Sequence, residues 1–462
     1  MAAPESTTGA DADPDPGPGR EPGSAPAAVP NPRRALATVV AIVFLDLLGF
    51  GVVIPILPFY VRSFEVSDVF IGLLAASYSV MQFGFAPLLG RISDQRGRRP
   101  VLMISLAGSV VAWTVFGVAS EVGATFGVVA GVVVLFTSRM LAGAMGGNIA
   151  AAQAYIADIT PSERRAGALG LVGASFALGF VFGPAVGGVL ASDAVVAAAD
   201  SLLPDFVPTN RFSLPSFGAA VLSLLALVSA ALFLVEPDRT RGQSSRTTLV
   251  GSFVEALRDA SLRGFVVAFF LVSVAFSGIQ VMFIPYVADV YGYDATQAAF
   301  LLTYVGVLGT VNQGVLVGRL ARRYAESRLA VAGAAILLVA LATMPFTTEL
   351  GGFLPTVGGP TWLTRELVAL LVALALLSLG NGLLNVSLST LVSRAATADK
   401  QGLAFGVTQG AGSLGRTVGP PLMAALYVVA YWSPFVAGAL VVVPIIAILA
   451  GMVRGSGRVV AG

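Results

Sequence analysis

Residues 35–60, ALATVVAIVFLDLLGFGVVIPILPFY, form an apolar run long enough to cross a bilayer, with one carboxylate, Asp46, in its middle. At about 1.5 Å of rise per residue, a helix starting at Ala35 carries Asp46 roughly 16 Å into a hydrocarbon layer about 30 Å thick, close to the midplane. A carboxylate at that depth is expensive unless it is neutralised, paired or wetted by a cavity, so its presence points to function.

The rest of the composition agrees with a membrane solvent. Hydrophobic residues make up 56% of the 462-residue chain, charged residues only 11%, and the mean hydropathy is +0.86; a soluble globule would be about a quarter charged. Runs of twenty or so apolar residues recur throughout and require helices rather than barrel strands. Cysteine and histidine are absent. Disulfides, thiolate metal sites and imidazole relays are thereby excluded, no metal centre is expected, and proton chemistry falls to carboxylates. A net charge of +2 is too small to suggest nucleic acid as a partner.

Twelve spans fit the hydropathy: 35–60, 68–90, 100–120, 129–157, 166–191, 213–235, 264–288, 296–318, 328–346, 365–391, 402–427 and 433–453. With the first starting in the cytoplasm, Arg62, Arg211 and Arg365 fall outside and Arg139 and Arg416 within spans, while the other 22 of the 27 cationic residues are cytoplasmic. That bias places both termini in the cytoplasm. The same sorting of the acids leaves one at membrane depth, Asp46.

Residues 1–34 are a polar, Pro- and Gly-rich tail expected to stay disordered. Residues 35–235 form a first bundle of six helices and residues 264–454 a second, with a central cytoplasmic loop at 236–263 and a short tail at 455–462. Within that loop, residues 248–258 have the spacing of an interfacial amphipathic helix, and a solvated linker fits equally. An internal repeat supports the division. Gly170, Gly179 and Gly183-Pro184 in span five recur as Gly406, Gly415 and Gly419-Pro420 in span eleven, at an offset of 236 residues. The run from Gly90 to Asp94 after span two is echoed more weakly by Gly318 to Arg322 after span eight. The expected fold is therefore an all-α membrane protein, twelve helices in two pseudo-symmetric bundles around a shared cavity, a known plan for secondary transporters.

Four stretches carry a family resemblance. The segment Gly90-Arg-Ile-Ser-Asp94-Gln-Arg-Gly97-Arg98-Arg99 is similar to the G-x-x-x-D-x-x-G-R-R signature of the major facilitator superfamily. Span five, with Gly170, Gly179, Gly183, Pro184, Gly187 and Gly188, resembles that superfamily's proton-antiporter signature. Arg139 followed by Gly143 resembles its buried-arginine motif, and Asp46 with Gly49, Gly51, Pro55, Pro58 and Tyr60 resembles the opening of tetracycline-resistance and multidrug antiporters.

The resemblance implies a plasma-membrane protein of a prokaryote, a monomer that exports small amphipathic molecules against proton entry by alternating access. It has no cofactor beyond the proton gradient and is not an enzyme. Asp46 and Arg139 are then the proton-coupling pair. Gly90, Asp94, Gly97, Arg98 and Arg99, with Asp158, form a cytoplasmic latch that holds the outward-open state, although topogenic arginines would look the same. The glycines of span five let backbones touch where the halves meet. Tyr78, Gln82, Asn148, Gln280, Gln313, Asn381 and Arg416 are candidates for the substrate cavity, and bridging between neighbouring helices is the alternative for the amides. A proton-linked or facilitative uptake carrier for a sugar, organic acid or other metabolite is the second reading. A receptor or scaffold would need a folded module that neither the loop nor the tail is long enough to supply, and there is no phosphate loop for ATP-driven pumping.

Overall fold

In the computed structural model, which describes residues 29–237, 258, 262–355, 360, 362–395 and 401–459, the chain runs back and forth through twelve long helices. They are α1 (Pro32–Val53), α2 (Val69–Arg96), α3 (Arg98–Gly117), α4 (Val128–Met145 continued by Asn148–Ile159), α5 (Ser162–Leu190) and α6 (Ser213–Phe233). The second set is α7 (Arg263–Tyr291), α8 (Ala295–Val311 continued to Ala321), α9 (Glu326–Thr343 continued to Gly352), α10 (Arg365–Ala395), α11 (Gln401–Val429) and α12 (Ser433–Val459). Eleven of the described helices are long and apolar enough to cross a membrane. The remaining one, α11, carries Thr408, Gln409, Ser413, Arg416 and Thr417, which dilute its hydropathy.

The helix ends follow local chemistry. α1 begins at Pro32, inside what the sequence suggests is tail, because the Asn31 side chain accepts from Arg34 N at 3.1 Å and Pro32 occupies the first turn. α2 runs on through Gly90, where the hydropathy ends span two, and Asp94 to Arg96. The chain reverses only at Gly97, whose φ of +115° suits glycine. Of the central loop, Glu236, Pro237, Arg258, Leu262 and Arg263 are described, the last opening α7; the rest of the stretch at 248–258 lies outside the described residues.

α1 begins and α12 ends at one face, which also carries Arg91, Arg96, Arg98 and Arg99 around the end of α2 and Arg319, Arg322 and Arg323 around the end of α8. It is called the arginine-rich face below. The glycines of α5 divide by direction. Gly179, Gly183 and Gly187, four apart and so on one stripe, press on Leu47, Gly51 and Val52 of α1, and a Cβ at Gly183 would fall 2.6 Å from Gly51 Cα. α11 repeats this against α7, with Gly415 on Phe270 and Ser273 and Gly419 on Val274. These contacts lie within each half, whereas the sequence suggested a seam between halves; only Gly188, one step round the helix, meets Ala299 and Thr296 of α8.

The halves meet at the face opposite the arginines. There Gly72 of α2 lies against Pro420 and Ala424 of α11, Thr296 Oγ1 donates to Gly188 O at 3.0 Å, and Gly306 of α8 lies against Phe180 of α5. Arg62 completes the seal. Its guanidinium donates to both oxygens of Asp68 (2.8 and 2.7 Å) and both oxygens of Asp289 on α7 (2.7 and 2.8 Å), and Tyr427 of α11 donates to Asp289 Oδ2 at 2.6 Å. Toward the arginine-rich face the same four helices separate. A Cβ at Gly90 of α2, Gly170 or Gly173 of α5, Gly314 or Gly318 of α8, or Gly406 of α11 would meet no atom within 4 Å. The result is a cleft between the halves, open to the arginine-rich face and shut at the other.

Three substitutions test this packing. Gly183→Val is expected to lower stability in detergent by about 1–3 kcal/mol, because backbone cannot move aside as a side chain can, while Gly170→Ala leaves the melting temperature unchanged or slightly higher. Arg62→Gln removes the cross-half clamp; a partly exposed ion pair is worth about 1 kcal/mol, or roughly a fivefold change in population. Spin labels placed on the two halves at the sealed face should then report a growing longer-distance component, and an unchanged distribution would show that the clamp does not hold that face.

Candidate functional site

Asp46 sits midway along α1 and accepts from Asn148 Nδ2 through Oδ2 at 2.8 Å. Asn148 reaches it because α4 breaks at Gly146 and Gly147, which resets the phase of the helix and turns the first residue of the new segment toward α1. Its own Oδ1 accepts from Ile149 N at 2.8 Å, so the amide is oriented with its NH2 group on the carboxylate.

Arg139, one segment earlier on α4, is expected from the sequence to pair with Asp46. Here it does not: its guanidinium lies over the rings of Tyr78, Trp113 and Phe50, with its central carbon 4.8, 5.4 and 5.6 Å from their centroids. Ring faces attract a cation by about 0.5–2 kcal/mol each when desolvated, which makes an aromatic cage a substitute for an anion. The cage forms because Gly143 lets α4 touch the α2 backbone at Tyr78. Arg139 is only 5% exposed, and its Nε is buried with no hydrogen-bond partner. Gln82 donates to the Tyr78 hydroxyl at 3.3 Å, and Arg416 of α11 approaches Tyr78 from the other half, within electrostatic reach of it.

The facing wall of the cleft is a cavity of about 750 Å³ between α5, α7, α8 and α10. Gln280, Gln313 and Asn381 line it together with Phe180, Phe276 and Phe283. Gln313 belongs to a π-helical turn, Asn312–Leu316, which inserts an extra residue per turn and re-aims the side chains that follow. The candidate cavity residues thus fall into two groups, with Tyr78, Gln82, Asn148 and Arg416 around Asp46 and Arg139, and Gln280, Gln313 and Asn381 on the apolar wall.

At the arginine-rich end, Arg98 Nη1 lies 2.7 Å from Asp94 Oδ1 and its Nε 3.0 Å from Asp158 Oδ2. The three expected latch members therefore meet, but all belong to the first half and they meet while the cleft is open on their side. The triad alone does not distinguish one state from another. A carboxylate the sequence reading passed over completes it: Glu236, directly after α6, accepts from the backbone N–H groups of Arg98 and Arg99, each at 2.7 Å. Negative charge at a helix N-terminus is favourable, and Gly97 leaves room for it, since a Cβ there would sit 2.7 Å from Glu236 Oε1. Arg99 donates to Ala231 O at 2.8 Å. Also passed over was the Arg62 clamp, whose one visible signal was an arginine on the arginine-poor side.

Comparisons with known proteins agree with this architecture. A family model described as Major Facilitator Superfamily matches residues 39–355. The tetracycline resistance protein, class C, of Escherichia coli is 29% identical over 401 residues, covering 85% of this chain and 89% of that protein. Multidrug resistance protein 1 of Bacillus subtilis (strain 168) is 27% identical over 396 residues, covering 85% and 89%. Among solved structures, a bacterial homologue of the human lysosomal transporter Spinster, inward-facing and occupied, superposes with a TM-score of 0.71 at 15% identity, covering 92% of this chain and 98% of that one. The nucleoside transporter NupG superposes with a TM-score of 0.70 at 12% identity, covering 90% and 99%. With its paired bundles, its glycine-signed helices and a family match over most of its length, the chain belongs to the major facilitator superfamily, a multi-pass membrane transporter of small molecules and not an enzyme.

Proposed function

We propose that this protein exports small amphipathic molecules, drugs among them, from a prokaryotic cell in exchange for protons, working as a single chain in the plasma membrane with no cofactor. The observation that carries the reading is a cleft between two similar halves, closed at one end, with one carboxylate at mid-membrane depth beside Tyr78, which Arg416 of the other half also reaches. The positive-inside bias supports a cytoplasmic arginine-rich face and cytoplasmic termini, which makes the described state inward-facing and loaded from the cytoplasm. The resistance proteins among its relatives favour efflux over the uptake carrier.

In this mechanism Asp46 is the proton carrier. When ionised it is held by Asn148 and attracts a positively charged group of the substrate; when protonated it can still accept from Asn148 but no longer attracts the cation, and the substrate leaves. Because proton and substrate compete for one carboxylate, each turnover links the two fluxes. Arg139, held by rings instead of an anion, keeps a positive potential near the carboxylate without occupying it, and the aromatic cage moves with the first half. Opening the sealed face requires the Arg62 clamp to break and the α2–α11 and α5–α8 contacts to roll toward the arginine-rich end, where Gly90, Gly173, Gly314 and Gly406 have space to close.

Asp46→Asn should abolish uphill export driven by a pH gradient in sealed vesicles, by at least tenfold, while downhill exchange of labelled substrate persists. The readout is substrate accumulation in inverted vesicles with and without a collapsed gradient. Gradient-driven export surviving in this variant would remove Asp46 from the mechanism, and accumulation in the reverse direction would select the uptake reading.

A further inference from the structure

Resting on the efflux reading above, we infer that the cleft is built for zwitterions: molecules whose ammonium group pairs with Asp46 and whose anionic group, carried on the same apolar body, pairs with Arg416. The observation behind this is a charge imbalance. At mid-membrane depth the described cleft holds two guanidinium groups, Arg139 and Arg416, against one carboxylate. Arginine does not discharge its proton in a protein, so the excess is permanent and calls for an anion or water.

The two arginines are situated differently. Arg139 is enclosed by three rings and sealed from solvent. Arg416 is exposed, and its guanidinium makes one hydrogen bond, from Nη2 to Ser413 Oγ at 2.9 Å. Its helix is pinned to α7 through Gly415 and Gly419, and the Arg416 charge reaches Tyr78 of the opposite half, so it projects across the cleft. No carboxylate among the described residues answers it. Asp46, within reach of the same tyrosine, is engaged by Asn148 through Oδ2 alone. The other helices packed on α1 add nothing at this depth, since α5 carries its charges at the arginine-rich end and α6 carries none.

The sign of the coupling then selects the ligand. For a purely anionic ligand, protonating Asp46 raises the positive charge of the site, so proton and ligand bind together; that is the opposite of exchange. A purely cationic ligand competes with the proton at Asp46 but is repelled by Arg416 and Arg139. A zwitterion meets both demands: a proton on Asp46 releases its ammonium group, and Arg416 compensates its anion. A cavity of about 750 Å³, lined by Phe180, Phe276 and Phe283 and by the amides Gln280, Gln313 and Asn381 but by neither Asp46 nor Arg416, is the size of a drug-binding cavity and takes the part of the apolar body that extends past the charged groups.

The test is equilibrium binding to the purified full chain in detergent, by calorimetry, with three probes on one biaryl scaffold bearing a dimethylaminomethyl group, a carboxylate, or both. The zwitterion is expected to bind at least tenfold tighter than either singly charged probe. Arg416→Gln should weaken the zwitterion at least tenfold and leave the amine unchanged or tighter, Arg416→Lys should keep most of the preference, and Asp46→Asn should weaken the amine and the zwitterion but not the acid. Melting curves of each variant report whether it is folded. The inference is overturned if the amine or the acid alone binds as tightly as the zwitterion, or if both Arg416 variants leave the three affinities in their wild-type ratio. No gradient or direction enters this measurement, so its failure and a failure of uphill export are separate results.

Discussion

Lipid tails are as apolar as leucine, so helices in a bilayer are held together by close contact rather than by escape from water. In this chain that contact is backbone on backbone: α5 on α1 through Gly179, Gly183 and Gly187, and α11 on α7 through Gly415 and Gly419. Each pair makes the spine of one half. Because the stripes point inward within a half, each half is packed as one body on its own spine, and the surfaces between halves carry no such stripe along their length. The sealed face is held by small-residue contacts and one arginine clamp, which a rocking motion can break without disturbing either spine.

The same economy governs charge. Hydrocarbon tolerates a carboxylate or a guanidinium only where something inside the protein compensates it. Asp46 is met by an amide and Arg139 by aromatic faces, two neutral partners that leave the pair electrically uncommitted to each other. An Asp46–Arg139 ion pair would hold both groups in one arrangement. Neutral partners leave the carboxylate free of any fixed ion pair.

Much of this fold is legible in the sequence because hydropathy, glycine spacing and arginine bias are properties along the chain. The repeat between spans five and eleven supported the division into two halves, and both helices do occupy equivalent places, each pressed on the first helix of its half. What escaped the sequence concerns direction around a helix and distance across the fold. Depth placed Asp46 and Arg139 at similar levels, but the break at Gly146 and Gly147 brought Asn148 onto the carboxylate, while Arg139 meets α1 at the ring of Phe50. The span-five glycines were assigned to the seam between halves because spacing says that a stripe exists and not which neighbour it faces. Asp94, Arg98 and Asp158 do meet, yet Glu236 joins them from far along the chain, and Arg62 and Asp289 are separated by most of the first half and all of the central loop.

The cage around Arg139 has an optical side. Of the three tryptophans in the chain, Trp362 and Trp432 are exposed at the sealed face, 68% and 46%, while Trp113 is 3% exposed and lies against the guanidinium. Its indole therefore emits from a dry surrounding, at shorter wavelengths than the other two, beside a fixed positive charge that shifts its spectrum. The unlabelled protein thus carries a reporter of its own against Arg139, distinct from the two at its rim.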